Sequence, residues 1–222
     1  MCFSATASFG ASMMLAGIGS VSIIKAKTPS LRVLAFIPFI FSIQQFTEGW
    51  VWLSLTKENF ISWKLPCTYI FLFFAEVMWP IGISFSMMLF EKKEKRKNIL
   101  RVIFYGSIGL SAVLAYSLFY YTADVKVIGN HVMYSVNTPD NFKSITNVFY
   151  FITAVLPPFL STVKKAWLIG IALIVSYLIA KIFFEDYIIS IWCYFATIIS
   201  AIILWIILEN KNNHHIYSNV HI

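Results

Sequence analysis

Charge is scarce in this chain. Of its 222 residues only 12% are Asp, Glu, Lys or Arg, about half the share of an ordinary soluble domain. With so little charge and 59% hydrophobic residues, no stretch is left over for a separate soluble domain. Cysteine is also sparse. Cys2, Cys67 and Cys193 are too few for a disulfide framework and allow at most one bridge with a thiol to spare. Histidine is nearly confined to the C-terminal tail, as His214, His215 and His221, with His131 the exception. A helix-borne zinc hydrolase would need several histidines among its helices, so that class is excluded. A retinal-binding bundle would need a lysine in the middle of its last span, and that span has none. No internal repeat is visible, which removes the signature of many secondary transporters.

What the chain does have is long apolar runs. A bilayer span takes about 20 apolar residues, and seven such stretches are read at 5–24, 33–55, 67–90, 99–122, 146–163, 166–183 and 187–208. The fifth is the shortest. The expected fold is an all-α polytopic membrane bundle of seven helices in one domain, 1–208, followed by a polar tail, 209–222. No basic residue precedes Lys25, so the N-terminal stretch reads as the first span rather than a cleaved signal.

The net charge of +7 would suggest nucleic acid, but its distribution points to topology. Twelve basic residues fall in alternate loops and the tail: Lys25, Lys27 and Arg32; the EKKEKRK loop through Arg101; Lys164 and Lys165; and Lys211. The other side holds five. The positive-inside rule then places the N-terminus outside and the C-terminus in the cytoplasm, which an odd helix count satisfies. The partner this implies is a lipid bilayer, and no nucleic acid. In the first span, Ser4, Ser8, Ser12, Ala16 and Ser20 recur every four residues, a small-residue stripe suited to close helix packing. In the longest outer loop, 123–145, VKVIGNHVMYSV alternates around Gly129-Asn130. That pattern predicts a short hairpin, which would lie over the bundle mouth as a lid or a fixed cap.

Two carboxylates, Glu48 and Glu76, lie deep within apolar runs. A charge at bilayer depth is costly enough to mark a functional candidate. With the second span running outward and the third inward, Glu48 lies about 10 Å and Glu76 about 14 Å below the outer surface. Gln44 and Gln45 are four and three residues before Glu48 and share its neighbourhood on the helix. Pro80 has no N–H for the carbonyl four residues back, which is that of Glu76. Carboxyl and carbonyl oxygens suit a hard cation or a proton. The expected binding pocket is therefore Gln44, Gln45, Glu48, Glu76 and the mid-span Trp79, with Glu48 and Glu76 as the candidate metal ligands. It would serve transport or sensing of a proton, a cation or a small amphipathic molecule. The alternative is a membrane-embedded enzyme acting on a lipid or apolar substrate. Cys2, exposed by loss of Met1, would be its nucleophile, assisted by His131, Glu48 or Glu76. Purely structural glutamates that tie helices together are the plain reading against which both stand.

The runs MCFSATASF, FSIQQFTEGWVWL, FFAEVMWP and SIWCYFA resemble an uncharacterised family of bacterial multi-pass membrane proteins, a domain of unknown function. Cys2, Ser4, Gln44, Gln45, Glu48, Trp79, Pro80, Trp192 and Cys193 carry the resemblance. It implies a location in the bacterial inner (plasma) membrane and about seven helices. It implies no activity, and it points to no particular cofactor.

Overall fold

The structure, a computed structural model, describes residues 4–218, with side chains described as far as Glu209. Seven helical stretches and one hairpin make up the described residues. Helix α1 is Ala5–Lys25 and α2 is Pro29–Thr56. The third stretch, α3, covers Glu58–Phe90, and α4 covers Glu94–Tyr120. Strands β1 (Ala123–Ile128) and β2 (His131–Val136) follow, then α5 (Asp140–Leu160) and α6 (Trp167–Phe183). The last stretch, α7, comprises Ile188–Tyr194 and, after a break at Phe195, Ala196–Ser218. The polar tail read from Glu209 onward thus continues the last helix as far as Ser218.

Five of these helices, α1 to α4 and Glu185–Glu209, are long and apolar enough to cross a membrane. The other two stretches read as spans fall short by that measure. Helix α6 has 17 residues, about 25 Å of rise against a hydrocarbon core of about 30 Å. Helix α5 has 21 residues, but its first turns, Asp140–Lys143, are polar. The outward surface is apolar, with Ile24, Val102, Phe119, Ile182 and Phe183 each at least 70% exposed. Such a surface suits lipid rather than water.

Local chemistry sets the helix boundaries. Ser4 caps α1 by accepting from Ala7 N–H at 3.2 Å, and Thr28 caps α2 by accepting from Leu31 N–H at 3.2 Å. Side-chain oxygens at this position satisfy N–H groups that have no partner within the helix. Helices α1 and α2 are closely packed. A Cβ at Gly19 would lie 2.8 Å from the Phe39 backbone nitrogen, and Ser12 Oγ donates to the Ser42 carbonyl at 2.8 Å. The buried stripe of α1 is Ser8, Ser12, Leu15, Gly19 and Ser22. It begins as the four-residue pattern foresees and then leaves it. A strict step of four drifts about 40° per repeat around a 3.6-residue helix, so Ser20 has rotated to an exposed position.

The hairpin forms as its alternation predicts. Ile128 pairs with His131 and Ala123 with Val136, and Gly129 takes φ +60°. A glycine at the first position of a two-residue turn fits type II′. One face is packed down: Val125, Val132 and Tyr134 are buried, and Tyr134 stacks on Phe71 of α3 with ring centroids 4.5 Å apart. The hairpin is anchored by a second apolar cluster that includes Val51, Trp52 and Leu118.

At the opposite, basic end, polar contacts tie the loops together. Glu91 is 2% exposed. It accepts from Lys93 N–H at 2.8 Å, from Thr162 Oγ1 at 2.7 Å and from Thr162 N–H at 2.6 Å. Lys165, at φ 68°, pairs with Glu209 at 2.7 Å and lies 3.7 Å above the Trp205 ring.

Candidate functional site

The helix carrying Glu76 is irregular where the sequence leads one to look. Residues Phe73–Met78 form a π-helical segment directly before Trp79-Pro80. Such segments are rare and concentrate at functional sites. Pro80 supplies no N–H to the preceding turn, and side chains from neighbouring helices meet the carbonyls there. Tyr150 on α5 donates to the Ala75 carbonyl at 2.6 Å. Ser111 on α4 donates to the Val77 carbonyl at 2.8 Å. The wider turn shifts the exposed carbonyls relative to an ordinary helix, so Ala75 and Val77, rather than Glu76, are the ones seen to be bonded.

A cavity of about 360 Å³ opens beside this segment, within the range of small-molecule sites. Helix α3 contributes Ala75, Glu76 and Trp79 to its wall, and α5 contributes Lys143, Asn147 and Tyr150. Helix α7 adds Trp192 and Cys193, and β2 closes one end with Tyr134 and Ser135. Glu185 and Asp186 line it near the same end. The Glu76 carboxylate accepts no hydrogen bond from a described residue. Lys143 is near enough for its charge to reach Glu76, but no ion pair closes between them.

Of the five residues expected to line one pocket, Glu76 and Trp79 do so. Gln44, Gln45 and Glu48 do not reach the cavity wall. They are fully buried, at 0%, 1% and 0% exposure, because α7 packs over that face of α2. Glu48 Oε1 accepts from Ser190 Oγ at 2.5 Å. Gln44 bridges two helices: its Oε1 accepts from Trp79 Nε1 at 2.8 Å, and its Nε2 donates to Cys193 Sγ at 2.9 Å. Trp79 is further held by stacking on Phe41 at 3.7 Å between centroids. Gln44 therefore backs the wall and orients Trp79 and Cys193 within it. The Gln45 amide is buried with neither end hydrogen-bonded; the structure gives no account of why a glutamine stands there.

His131 sits at the tip of the hairpin, stacked on Tyr187 at 4.7 Å, and does not line the cavity. Cys2 lies outside the described residues, as do the side chains of the tail histidines. Cys67 and Cys193 are free, buried thiols, so the two are not bridged to each other. Among the described residues no three of His, Cys, Asp and Glu come together as a metal set. The two glutamates offered as metal ligands belong to different settings, one on the cavity wall and one in the packed interior. The tryptophans near this end of the bundle also differ in setting. Trp63 is 53% exposed and Trp52 is buried, and Trp192 faces the cavity.

Reading the sequence missed Lys143, Asn147 and Tyr150. Lys143 falls in the stretch read as the end of the outer loop, and Asn147 falls in the first turn of the fifth apolar run, where nothing in the sequence sets it apart from an interfacial polar residue. Tyr150 would have been found only by asking which hydroxyl meets the carbonyls near Pro80. Residues 1–217 match the model of a family of unknown function (DUF6629). The chain belongs to this family. No curated protein matches it, and no solved structure does. Family membership thus agrees with the resemblance carried by Trp79, Pro80, Trp192 and Cys193, all of which lie at or beside the cavity in this DUF6629 chain.

Proposed function

We propose that this protein is an integral plasma-membrane protein that binds a small molecule or cation in the cavity beside Glu76, in the service of transport or sensing. In this reading all seven helices cross the bilayer. The N-terminus and hairpin face outward, and the basic end with the C-terminus faces the cytoplasm. The observation that carries it is the Glu76 carboxylate, set within an apolar span and lining a cavity without a hydrogen-bond partner among the described residues. A purely structural glutamate would be expected to bond a neighbouring helix, as Glu48 bonds Ser190. Glu48, Gln44 and Gln45 take a supporting part behind the wall. The basic loops support the orientation.

Native mass spectrometry on protein purified in mild detergent tests the binding role. A co-purifying small molecule or cation present in the wild type and absent from Glu76→Gln is the expected result. The same bound species in both proteins would count against it. Orientation is checked with Asn130→Cys and Lys95→Cys in a Cys2→Ser background. An impermeant maleimide added to intact cells should label position 130 and spare position 95, and the reverse pattern would invert the topology.

A further inference from the structure

The cavity's chemistry narrows its ligand, given the binding role proposed above. Eight aromatic side chains line it, and in Trp79, Tyr150 and Trp192 the polar atom is committed elsewhere. Trp79 Nε1 donates to Gln44 Oε1 at 2.8 Å. Tyr150 Oη donates to the Ala75 carbonyl at 2.6 Å. Trp192 Nε1 donates to Ser176 Oγ at 3.0 Å. What these residues leave for a ligand is ring surface, and aromatic faces carry negative potential that attracts cations. Hydroxyl protons on the wall are also spoken for at Ser117, which donates to the Leu114 carbonyl, and at Thr146, which donates to that of Phe142. Donors do remain on the wall, at Lys143, Asn147, Ser135, Thr138 and Tyr177, so the case for a cation rests on the ring faces and on the balance of charge.

The charges point the same way. Glu76, Glu185 and Asp186 line the cavity against Lys143 alone. A bare divalent metal is a poor fit, since such ions take several oxygen ligands and no three-residue acidic or His/Cys set forms among the described residues. A monovalent cation with an apolar body satisfies both the carboxylate and the rings.

We infer that the cavity is a site for a small organic ammonium ion, its nitrogen held by the Glu76 carboxylate and the ring faces of Trp79, Tyr150 and Trp192. Lys143 is then a resident competitor. It neutralises part of the Glu76 field when the site is unfilled and must yield when a cation enters.

The test uses the full chain in lipid nanodiscs and three probes of similar size and different charge: phenethylammonium, 2-phenylethanol and phenylacetate. Calorimetric titration is corrected against empty nanodiscs. The expected result is a preference of about tenfold or more for phenethylammonium over either analogue, about the effect of 1.4 kcal/mol. Glu76→Gln should abolish that preference, Glu76→Asp should retain it, and Lys143→Gln should tighten phenethylammonium binding. Because the preference is read first in the wild type, a variant that fails to fold does not decide the outcome. Equal binding of 2-phenylethanol, or phenylacetate binding that is lost in Lys143→Gln, would overturn the ammonium assignment while leaving a binding cavity. Failure of all three probes to bind wild-type protein that melts cooperatively would overturn both.

Discussion

Glu91 offers the sharpest test of how this bundle is held at its basic end. Its carboxylate is 2% exposed and receives three hydrogen bonds, from Lys93 N–H, Thr162 N–H and Thr162 Oγ1. Two of these cross between the α3–α4 and α5–α6 connections, which are 71 residues apart in the chain. Hydrogen bonds to a charged acceptor contribute about 1.5–3 kcal/mol each, and burying the carboxylate offsets a good part of that sum. Glu91→Ala should therefore cost about 2–4 kcal/mol, since it also strands the Thr162 N–H and Lys93 N–H. Glu91→Gln should cost about 1–3 kcal/mol. Whichever way the amide is turned, its NH₂ faces a backbone donor, Thr162 N–H or Lys93 N–H.

The same site has a signature in pH. Burial alone would raise the Glu91 pKa, but the hydrogen bonds from Lys93 and Thr162 outweigh it and hold the group below its ordinary value near 4.5. A group whose pKa is lowered on folding contributes stability above its unfolded pKa and loses it as the pH falls through the folded value. Wild-type melting in detergent should thus decline below about pH 4.5, and the Glu91 contribution to that decline should vanish in Glu91→Gln. Hydrogen exchange is the local readout: the amides of Lys93 and Thr162 should lose protection in Glu91→Ala. Melting and exchange in Glu91→Ala that match wild type at neutral pH would refute the clip.

Two further predictions concern the cavity's support and the closest helix contact. Gln44→Leu removes the acceptor for Trp79 Nε1 and the donor to Cys193 Sγ, leaving a buried indole N–H without a partner, so it should cost about 1–3 kcal/mol. It should also change Trp79 emission, and an unchanged melt and emission spectrum would show that the bridge is dispensable. Gly19→Ala places a methyl 2.8 Å from the Phe39 backbone nitrogen, which no side-chain rotation relieves. It should lower stability by about 1–3 kcal/mol, whereas Gly17→Ala, with open space around it, should not; equal melts for the two variants would contradict the packing of α1 on α2.

Much of the scaffold was legible because membrane helices advertise themselves through continuous apolar runs, and all seven stretches read from the sequence have helical counterparts. The hairpin was legible for a different reason: alternation around Gly129-Asn130 admits little else. The site was only half legible. Glu76 and Trp79 stand out as polar or bulky residues in an apolar run, and both line the cavity. Glu48 stands out for the same reason, yet it is buried against Ser190. Depth along a span can be counted from the sequence, but which way a side chain faces depends on neighbours 142 residues away. The π-helical segment compounds this. One additional residue in a turn rotates everything beyond it, so face assignments made with a uniform 3.6-residue period fail at the point where Glu76 sits.

Two irregularities of the bundle meet at this cavity, and that coincidence bears on function. The π segment Phe73–Met78 supplies Glu76, and the broken helix α7 supplies Trp192 and Cys193 one turn before its break at Phe195. Each break leaves backbone groups without their usual helical partners, and in an apolar setting such groups are tolerated where they are buried in protein or line a cavity. Here they are partly repaired from outside the helix, by Tyr150 at Ala75 and by Ser111 at Val77. With Pro80 in the chain even a regular α3 would leave the Glu76 carbonyl unpaired, so the repairs answer the proline as well as the wider turn. The irregular turn is explained if its purpose is to aim Glu76 at the cavity while Tyr150, pinned by the carbonyl the turn exposes, presents its ring to the same space.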